Sequence, residues 1–427
     1  MLDFSGSLDK DREILNVLLR AEAEEANFLK TAPAHDAADR NRATGPRERG
    51  LWLRESFLRL HMSKLYDELT CGCTEFPRLD ELAERAATAV SRLVPTAAEL
   101  AADRGRGQRH KDGREQELGV FFGAVLDAPA PGRHLLDTMR CPTGRALDLL
   151  PELRGAERVD LGPVCVEFRD GAGHVLICHQ QFLNAEDDGV VEALETAVDL
   201  VLLDDRAAVG VLRGAPMTHP RYQGRRVFSS GINLTHLYEG RISLLGFLLR
   251  RELGYISKIY RGLAGPQAVE KPWIAAVDTF AIGGGAQLTL VFDHVVADTD
   301  AYYTLPALQE GIIPGAANLR LGRLVGPRVA RQLIFADRRI RAADPDGAAL
   351  ADEVVPTRDM DRAIETAAAR LTNPAVVANR RMLRLAEEPE DTFRTYMAEY
   401  ARHQSRRLYS TDLIANLERT WIGRSRT

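Results

Sequence analysis

The sequence has little of what marks secreted, membrane-spanning or disulfide-stabilised proteins. It carries only five cysteines in 427 residues, and their odd number and irregular spacing argue against a disulfide framework. No stretch reaches the ~20 consecutive apolar residues of a membrane helix. The first residues, MLDFSGSLDKDREIL, carry acidic charge and lack the apolar run of a secretory signal. These absences predict a cytoplasmic protein with no membrane partner.

The sequence also lacks an excess of positive charge and the patterns of common cofactor sites. Its formal net charge is -5, which argues against nucleic acid as a partner. Cys71 and Cys73 are the only closely spaced cysteines, and no second pair or histidine cluster completes a zinc site. The histidines are too scattered for an iron site of two histidines and a carboxylate. No glycine-rich dinucleotide fingerprint opens a helix after a strand. We therefore predict neither a metal nor an organic cofactor.

The pattern of apolar residues changes along the chain, from helical spacing in the first part to alternating strands and helices in the second. Residues 9–32 and 50–69 have the spacing of amphipathic helices. Beyond about residue 155, two β-prone runs flank Asp170-Gly171, which predicts a hairpin. A helix over 184–203 follows, with Glu186 in its first turn, and then a strand over 208–213. Alternating strands and helices predict an α/β layer architecture. Towards the C-terminal end, residues 360–371 and 390–419 again have the spacing of helices.

A glycine triplet is the most informative feature of the second half. The apolar run Trp273–Val277 predicts a strand, Gly283–Gly285 break it, and residues 286–292 have helical character. Glycine lets a ligand approach the backbone closely, and the first N–H groups of a helix have no partner within it. This segment therefore predicts a backbone site for developing negative charge.

Four segments, in order, resemble the crotonase (enoyl-CoA hydratase/isomerase) superfamily. They are NAEDDGVVEALETAV, FSSGINL (228–234), KPWIAAVDTFAIGGGAQL (271–288) and the stretch 305–321. The resemblance covers about residues 159–385. It implies an α/β fold with a crotonase-like core of repeated β/α (ββα) units at 156–372. A helical N-terminal domain at 1–155 and a C-terminal helical segment at 373–427 flank this core. The C-terminal segment would cover the ligand and join subunits of a homo-oligomer, a trimer or hexamer.

The resemblance also implies an acyl-CoA ligand. Its thioester oxygen would accept hydrogen bonds from the N–H groups of Ile232 and Gly284, which would stabilise an enolate. The residues implied to bind substrate and CoA are Gln180, Glu186, His219, Pro220, Arg221, Tyr222, Ser230, Gly231, Ile232, Asn233, Arg251, Ile282, Gly283, Gly284, Gln287 and Ile312.

Two departures from the family pattern point away from hydration of an enoyl thioester. Hydratases of the superfamily carry two glutamates, and this sequence has Gln287 and Ala307 at those positions. Neither side chain can take a proton near neutral pH. These replacements, the N-terminal extension and SSGINLTHLYEGRISLL are similar to a branch that oxidises arylacetyl-CoA with O2 without metal or organic cofactor. That likeness implies a (3,5-dihydroxyphenyl)acetyl-CoA substrate, and free CoA and an arylglyoxylate as products, within glycopeptide antibiotic biosynthesis.

The likeness to this branch gives several side chains a role. Glu186, Arg251 and Gln287 would recognise the ring, with Arg251 preferred to Arg250 by register. His219 would orient or deprotonate the substrate. Other readings stay open: Glu186 as a helix-terminal charge, Arg251 as a surface partner of Glu252, and Gln287 as a packed polar side chain.

Two further interpretations of the whole chain also stay open. The first is another acyl-CoA hydrolase or isomerase that uses Glu310 or His219. The second is a non-catalytic CoA-binding scaffold that retains the fold.

Overall fold

The computed structural model describes residues 4–31, 45–153 and 156–419. The chain forms two compact units, one of Met1–Thr138 with Arg394–Tyr409 and the other of Met139–Phe393 with Ser410–Thr427. The predicted domain boundary at residue 155 lies outside the described residues.

The first unit is helical. Its long helices α1 and α2 pack along each other, and α2 also packs against α5. Leu15, Phe57, Leu65 and Phe121 are fully buried in this unit, so the helical periodicity reflects a core of its own. The helices up to the first strand are α1 Leu8–Thr31, α2 Gly45–Leu69, α3 Leu79–Ala89, α4 Ala97–Arg104, α5 Glu115–Asp127, α6 Pro129–Arg140 and α7 Gly144–Leu153. The helices predicted over 9–32 and 50–69 are confirmed over the described residues.

The second unit contains two sheets. The larger has the order β1-β2-β3-β4-β5-β7-β10, and the smaller has the order β6-β8-β9. From β3 to β10 the neighbours in the large sheet are parallel, while β1, β2 and β3 are antiparallel. The strands are β1 Arg158–Asp160, β2 Val164–Arg169, β3 Ala172–Ile177, β4 Val209–Gly214, β5 Trp273–Val277, β6 Phe280–Ile282, β7 His294–Asp298, β8 Tyr302–Thr304, β9 Ile340–Arg341 and β10 Glu353–Val355.

The predicted hairpin joins β2 to β3. Asp170 and Gly171 both have left-handed φ angles, of 52° and 75°, as a two-residue hairpin turn requires. The prediction of a hairpin is therefore confirmed.

Beyond the first strand the helices are α8 Asp188–Leu203, α9 Leu234–Tyr238, α10 Ser257–Arg261, α11 Gly284–Thr289, α12 Ala307–Glu310, α13 Ala317–Leu324, α14 Gly326–Phe335, α15 Met360–Leu371, α16 Ala375–Glu387, α17 Glu390–Arg407 and α18 Thr411–Leu417. Helices α8 and α15 pack against the large sheet. Alternate strand residues such as Val209, Val211 and Ile274 form a buried cluster with Met360 and Ile364 of α15. Side chains that alternate along a strand point to opposite faces, so one face of the sheet packs on α15. The predicted α/β architecture is confirmed.

Two predicted helices differ from the structure in their bounds. The helix expected to run from 390 to 419 breaks between Arg407 and Thr411, so α17 and α18 are separate. The helix expected from residue 184 begins at Asp188, because Leu183 and Asn184 have left-handed φ angles and Asp187 is the N-cap. No helix among the described residues is long and apolar enough to cross a bilayer.

Candidate active site

Ile232 lies in a short extended segment that follows β4. The N–H of Glu186 donates to the carbonyl of Gly231 at 2.7 Å, and the N–H of Asn233 donates to the carbonyl of Glu186 at 2.8 Å. Because successive backbone groups of an extended chain point in opposite directions, the N–H of Ile232 points away from this pairing. That N–H is therefore available to a ligand.

Gly284 begins α11 directly after β6. The N–H of Gly283 donates to the carbonyl of Thr304, and its own carbonyl accepts from Gln287. The N–H of Gly284 belongs to the first turn, where a helix offers no internal acceptor. The predicted strand, glycine turn and helix start are all present at this point.

Gly231 brings these two segments into contact. A Cβ on Gly231 would lie 2.8 Å from the carbonyl oxygen of Ile282 and 3.1 Å from the amide nitrogen of Gly284. Gly231 also has a φ angle of +87°, which side-chain-bearing residues rarely adopt. Both the space and the conformation at this position therefore require glycine.

Glu186, Arg251 and Gln287 meet in one buried network next to Gly284. The Arg251 guanidinium donates to Glu186 at 2.8 and 3.1 Å, to Gln287 Oε1 at 2.7 Å and to the Gly284 carbonyl at 2.7 Å. It also donates to Glu252 at 3.1 Å. Every N–H of the guanidinium thus has an acceptor. The structure brings the predicted ring-recognition set together.

The exposure of this set limits how it can meet a ligand. The three residues Glu186, Arg251 and Gln287 are only 0%, 4% and 2% exposed. Glu186 precedes the helix N-cap and pairs with Ile232. The sequence predicted Glu186 in the first turn of a helix, and this prediction is wrong. None of the three is among the residues that line the neighbouring cavity.

Arg250 and Arg251 are neighbours in one helical segment but have different partners. Residues Leu244–Leu249 form widened, π-helical turns, which are often found at functional sites, and Glu252–Ile256 contains a kink at Gly254. Arg250 pairs with Glu195 at 2.6 Å, while Arg251 turns toward Glu186. Arg251, and not Arg250, thus contacts Glu186; its role in ring recognition stays a prediction.

Sequence reasoning missed Tyr255. Its hydroxyl donates to Glu186 at 2.6 Å. The chain between Arg251 and Tyr255 is not regular α-helix, because Gly254 has non-helical φ and ψ angles of -90° and -109°. Sequence spacing therefore gave no signal for this contact. Burial raises the pKa of Tyr255 well above its ordinary value. Burial alone would lower the pKa of Arg251, but the carboxylate of Glu186 outweighs it and the pKa lies well above normal. Arg251 therefore keeps its charge, and the Tyr255 hydroxyl keeps its proton.

A cavity of about 480 Å³ lies against Ile232 and Ile282. Phe182, Phe280 and Tyr302 supply aromatic walls that the sequence gave no reason to select. The cavity contains seven of the predicted binding residues, namely His219, Arg221, Tyr222, Ser230, Ile232, Asn233 and Ile282. Ile312 is half-buried and is not among the residues that line this cavity.

The loop after β4 forms the outer wall of the cavity. Gln180 holds this loop, because its amide donates to the Pro216 carbonyl at 3.0 Å and its side-chain oxygen accepts from Thr218 at 2.9 Å. Pro220 begins a single 3-10 turn, and Nδ1 of His219 accepts from the Arg221 N–H at 3.3 Å. Gln180 and Pro220 thus support the loop that presents His219 and Arg221.

Glu310 supplies a carboxylate to the lining of the cavity. It is the last residue of α12 and lines the cavity, while Ala307 begins the same helix and is buried. Burial, with a contribution from the charge of Asp337, raises the pKa of Glu310 to about 8. A carboxyl with such a pKa can exchange protons near neutral pH.

This pKa predicts how Glu310→Gln changes stability with pH. Between its ordinary pKa of 4.5 and the folded value of about 8, the folded protein keeps a proton that the unfolded chain releases. The free energy of unfolding of wild type therefore falls as pH rises through this range. Glutamine at this position does not titrate, so the variant lacks this fall. We expect the melting temperature of the variant, relative to wild type, to increase from about pH 5 to about pH 8. A relative melting temperature that does not change with pH would contradict the shifted pKa.

Within residues 4–31, 45–153 and 156–419, no group of three or more histidine, cysteine, aspartate or glutamate side chains is arranged to hold a metal ion. All five cysteines are free thiols.

Comparison with known proteins agrees with this architecture. A family model described as Enoyl-CoA hydratase/isomerase matches residues 220–412. Over 394 residues, 91% of each chain, the sequence is 52% identical to (3,5-dihydroxyphenyl)acetyl-CoA 1,2-dioxygenase of Amycolatopsis orientalis. It is also 28% identical to a short-chain-enoyl-CoA hydratase of Clostridium acetobutylicum, over 52% of this chain and 79% of that protein.

A solved structure shows the same fold. The crystal structure of an enoyl-CoA hydratase from Bacillus halodurans aligns with a TM-score of 0.51 and 18% identity, over 60% of this chain and 100% of that chain. The predicted crotonase-like core is thus confirmed. With a relative 52% identical over nearly its whole length, this chain belongs to the enoyl-CoA hydratase/isomerase, or crotonase, family.

Proposed function

We propose that this protein is a dioxygenase that oxidises (3,5-dihydroxyphenyl)acetyl-CoA with O2, without metal or organic cofactor. The products are (3,5-dihydroxyphenyl)glyoxylate and CoA, and the pathway is that of dihydroxyphenylglycine-containing glycopeptide antibiotics. The observation that carries the proposal is the pair of N–H donors at Ile232 and Gly284, beside a site with Gln287 and Ala307 in place of both hydratase glutamates. The identity with a relative of that name supports the choice of substrate.

The proposed reaction begins with loss of a proton from the carbon between ring and thioester. The C–H electron pair moves into an enolate whose oxygen accepts from the N–H groups of Ile232 and Gly284. Preorganised donors stabilise this charge more than they stabilise the neutral carbonyl. The enolate carbon reacts with O2, and the resulting peroxide attacks the thioester carbonyl and expels CoA. Loss of the second proton with cleavage of the O–O bond leaves the ketone. One thioester and one O2 thus give one arylglyoxylate, one CoA thiol and one proton.

The surroundings of the donors suit both ends of this substrate. The aromatic and apolar walls of the cavity suit the ring, and recognition of the ring hydroxyls by Glu186, Arg251 and Gln287 remains part of the proposal. Four arginines, Arg221, Arg225, Arg339 and Arg341, line a groove that shares Arg221 and Tyr222 with the cavity. Guanidinium groups are suited to phosphate, so this groove would receive the phosphates of CoA. A homo-oligomer, trimer or hexamer, and a cytoplasmic location remain part of the proposal.

Turnover with and without oxygen tests the function. In air, we expect one CoA thiol and one arylglyoxylate per O2 consumed, and under strict anaerobiosis we expect no release of CoA. Mixing the anaerobic complex with O2 should restore the full yield.

The contrary outcomes separate the alternatives. CoA release that persists without O2 would identify a thioester hydrolase. Tight CoA binding without turnover of any thioester would identify a scaffold. Stoichiometric iron in active protein, measured by elemental analysis, would overturn the cofactor-free part of the proposal.

A further inference from the structure

The carboxylate of Glu310 lies beside the two proposed oxyanion donors. Its Oε1 is 3.5 Å from where a Cβ on Gly283 would lie, and Gly283 directly precedes Gly284. Helix α12 ends there because Gly311 adopts a left-handed conformation with a φ angle of 77°. Helix α18 packs against α12, which holds this end of the cavity in place. The carboxylate thus lines the same cavity as Ile232 and lies next to the backbone segment that carries Gly284.

We propose that Glu310 is the base that removes the Cα proton of the acyl thioester. The inference rests on the proposed function and names the proton acceptor that this function requires. In the step, the Cα–H bond breaks and its electron pair moves into the enolate, whose oxygen is held by Ile232 and Gly284. The proton goes to a carboxylate oxygen of Glu310.

The other candidate in the cavity is less suited to this role. Nδ1 of His219 accepts a hydrogen bond from the Arg221 N–H. A neutral imidazole that accepts at Nδ1 carries its one proton on Nε2. The ring then offers a donor to the cavity and not a free lone pair. This arrangement suits His219 to orient the substrate.

The environment of Glu310 makes its carboxylate a stronger base than an exposed one. Burial, and then the charge of Asp337, raise its pKa to about 8. Asp337 itself accepts from Gln309 at 2.6 Å. The other charged side chains on the helices packed against α12 are Arg328 and Arg331 of α14 and Asp412 of α18, and His219 and Arg221 face the cavity.

Exchange of the Cα hydrogens in D2O isolates this step, because it needs no O2. Under anaerobic conditions we expect wild type to exchange one Cα hydrogen of the arylacetyl-CoA, the one on the side of Glu310. General bases typically contribute 10²–10⁴-fold, so Glu310→Gln should exchange at least about 10²-fold more slowly. Glu310→Asp should recover part of the rate. Glu365→Gln, which changes an exposed glutamate of α15, should exchange like wild type.

A second variant tests the assignment without changing Glu310. Asp337 has a left-handed φ angle of 49°, which asparagine tolerates. Asp337→Asn removes a charge that raises the pKa of Glu310, so the rise of the exchange rate with pH should shift to lower pH. A profile that does not move would count against Glu310 even if Glu310→Gln failed to fold.

Two outcomes distinguish an incorrect assignment of the base from an incorrect proposed function. Exchange by Glu310→Gln at the wild-type rate, with substrate affinity retained, would overturn the assignment alone. Wild-type exchange that depends on Glu310 but is followed by no O2 consumption in air would overturn the dioxygenase function and leave the assignment standing.

Discussion

Replacing Arg251 with methionine is expected to lower the free energy of unfolding by about 3–5 kcal/mol, the usual cost of breaking a buried ion pair by removing one partner. The carboxylate of Glu186 is fully buried and would keep only the Tyr255 hydroxyl and the more distant Ser229 as side-chain donors. The Gly284 carbonyl would also lose its donor, so turnover should fall together with stability. Urea denaturation of both proteins measures the stability change.

Two control variants show whether the loss comes from an uncompensated charge. The double variant Glu186→Gln, Arg251→Met removes one charge of each sign and should be more stable than Arg251→Met alone. Arg250→Met should cost less, because its partner Glu195 keeps Lys258 at 2.9 Å. A double variant no more stable than Arg251→Met would contradict this account of the network.

Gly231→Ala is expected to reduce kcat/KM by about 10²–10³, the effect typical of losing one oxyanion donor. The added methyl group would lie 2.8 Å from the Ile282 carbonyl and 3.1 Å from the Gly284 nitrogen. The segments that carry Ile232 and Gly284 would have to separate, and their N–H groups would no longer converge on one oxygen. Steady-state kinetics on the arylacetyl-CoA, with circular dichroism to confirm folding, measures this effect.

Gly326→Ala is the matched control. Gly326 has a similar left-handed φ angle of 75°, but an added Cβ would meet no atom within 4 Å. Both variants incur the conformational cost of about 1–2 kcal/mol, while only Gly231→Ala forces the two segments apart. Equal activity losses in the two variants would refute the convergence of the donors at this position.

Local sequence patterns were sufficient for much of the fold. The Asp170-Gly171 turn and its β-prone flanks predicted the hairpin β2–β3, and the apolar run Trp273–Val277 predicted β5. Helix α15 follows its apolar spacing from Met360 to Leu371. These features depend on the conformational preferences of neighbouring residues, which the sequence contains directly. The ends of elements were less certain, as at Leu183 and Asn184, where a left-handed backbone delays α8.

Predictions for the site show the same difference between local features and contacts of distant residues. Ordered motifs located the segments of Ile232 and Gly284, because short backbone segments with glycine at fixed positions leave a local signature. The contacts between charged side chains have no such local signature in the sequence. Whether Arg250 or Arg251 meets Glu186 depends on helix register and on packing across 65 residues of sequence, and only the structure shows that pairing.

The sequence by itself determined the family, the order of strands and helices in the core, and the absence of carboxylates at 287 and 307. Tertiary structure decided which side chains share a buried environment. It joined Glu186, Arg251, Gln287 and Tyr255 in one network, and it placed the carboxylate of Glu310 next to Gly283. The physical reason is that the state of a charge depends on burial and on its neighbours in space, and both arise only when distant segments pack together.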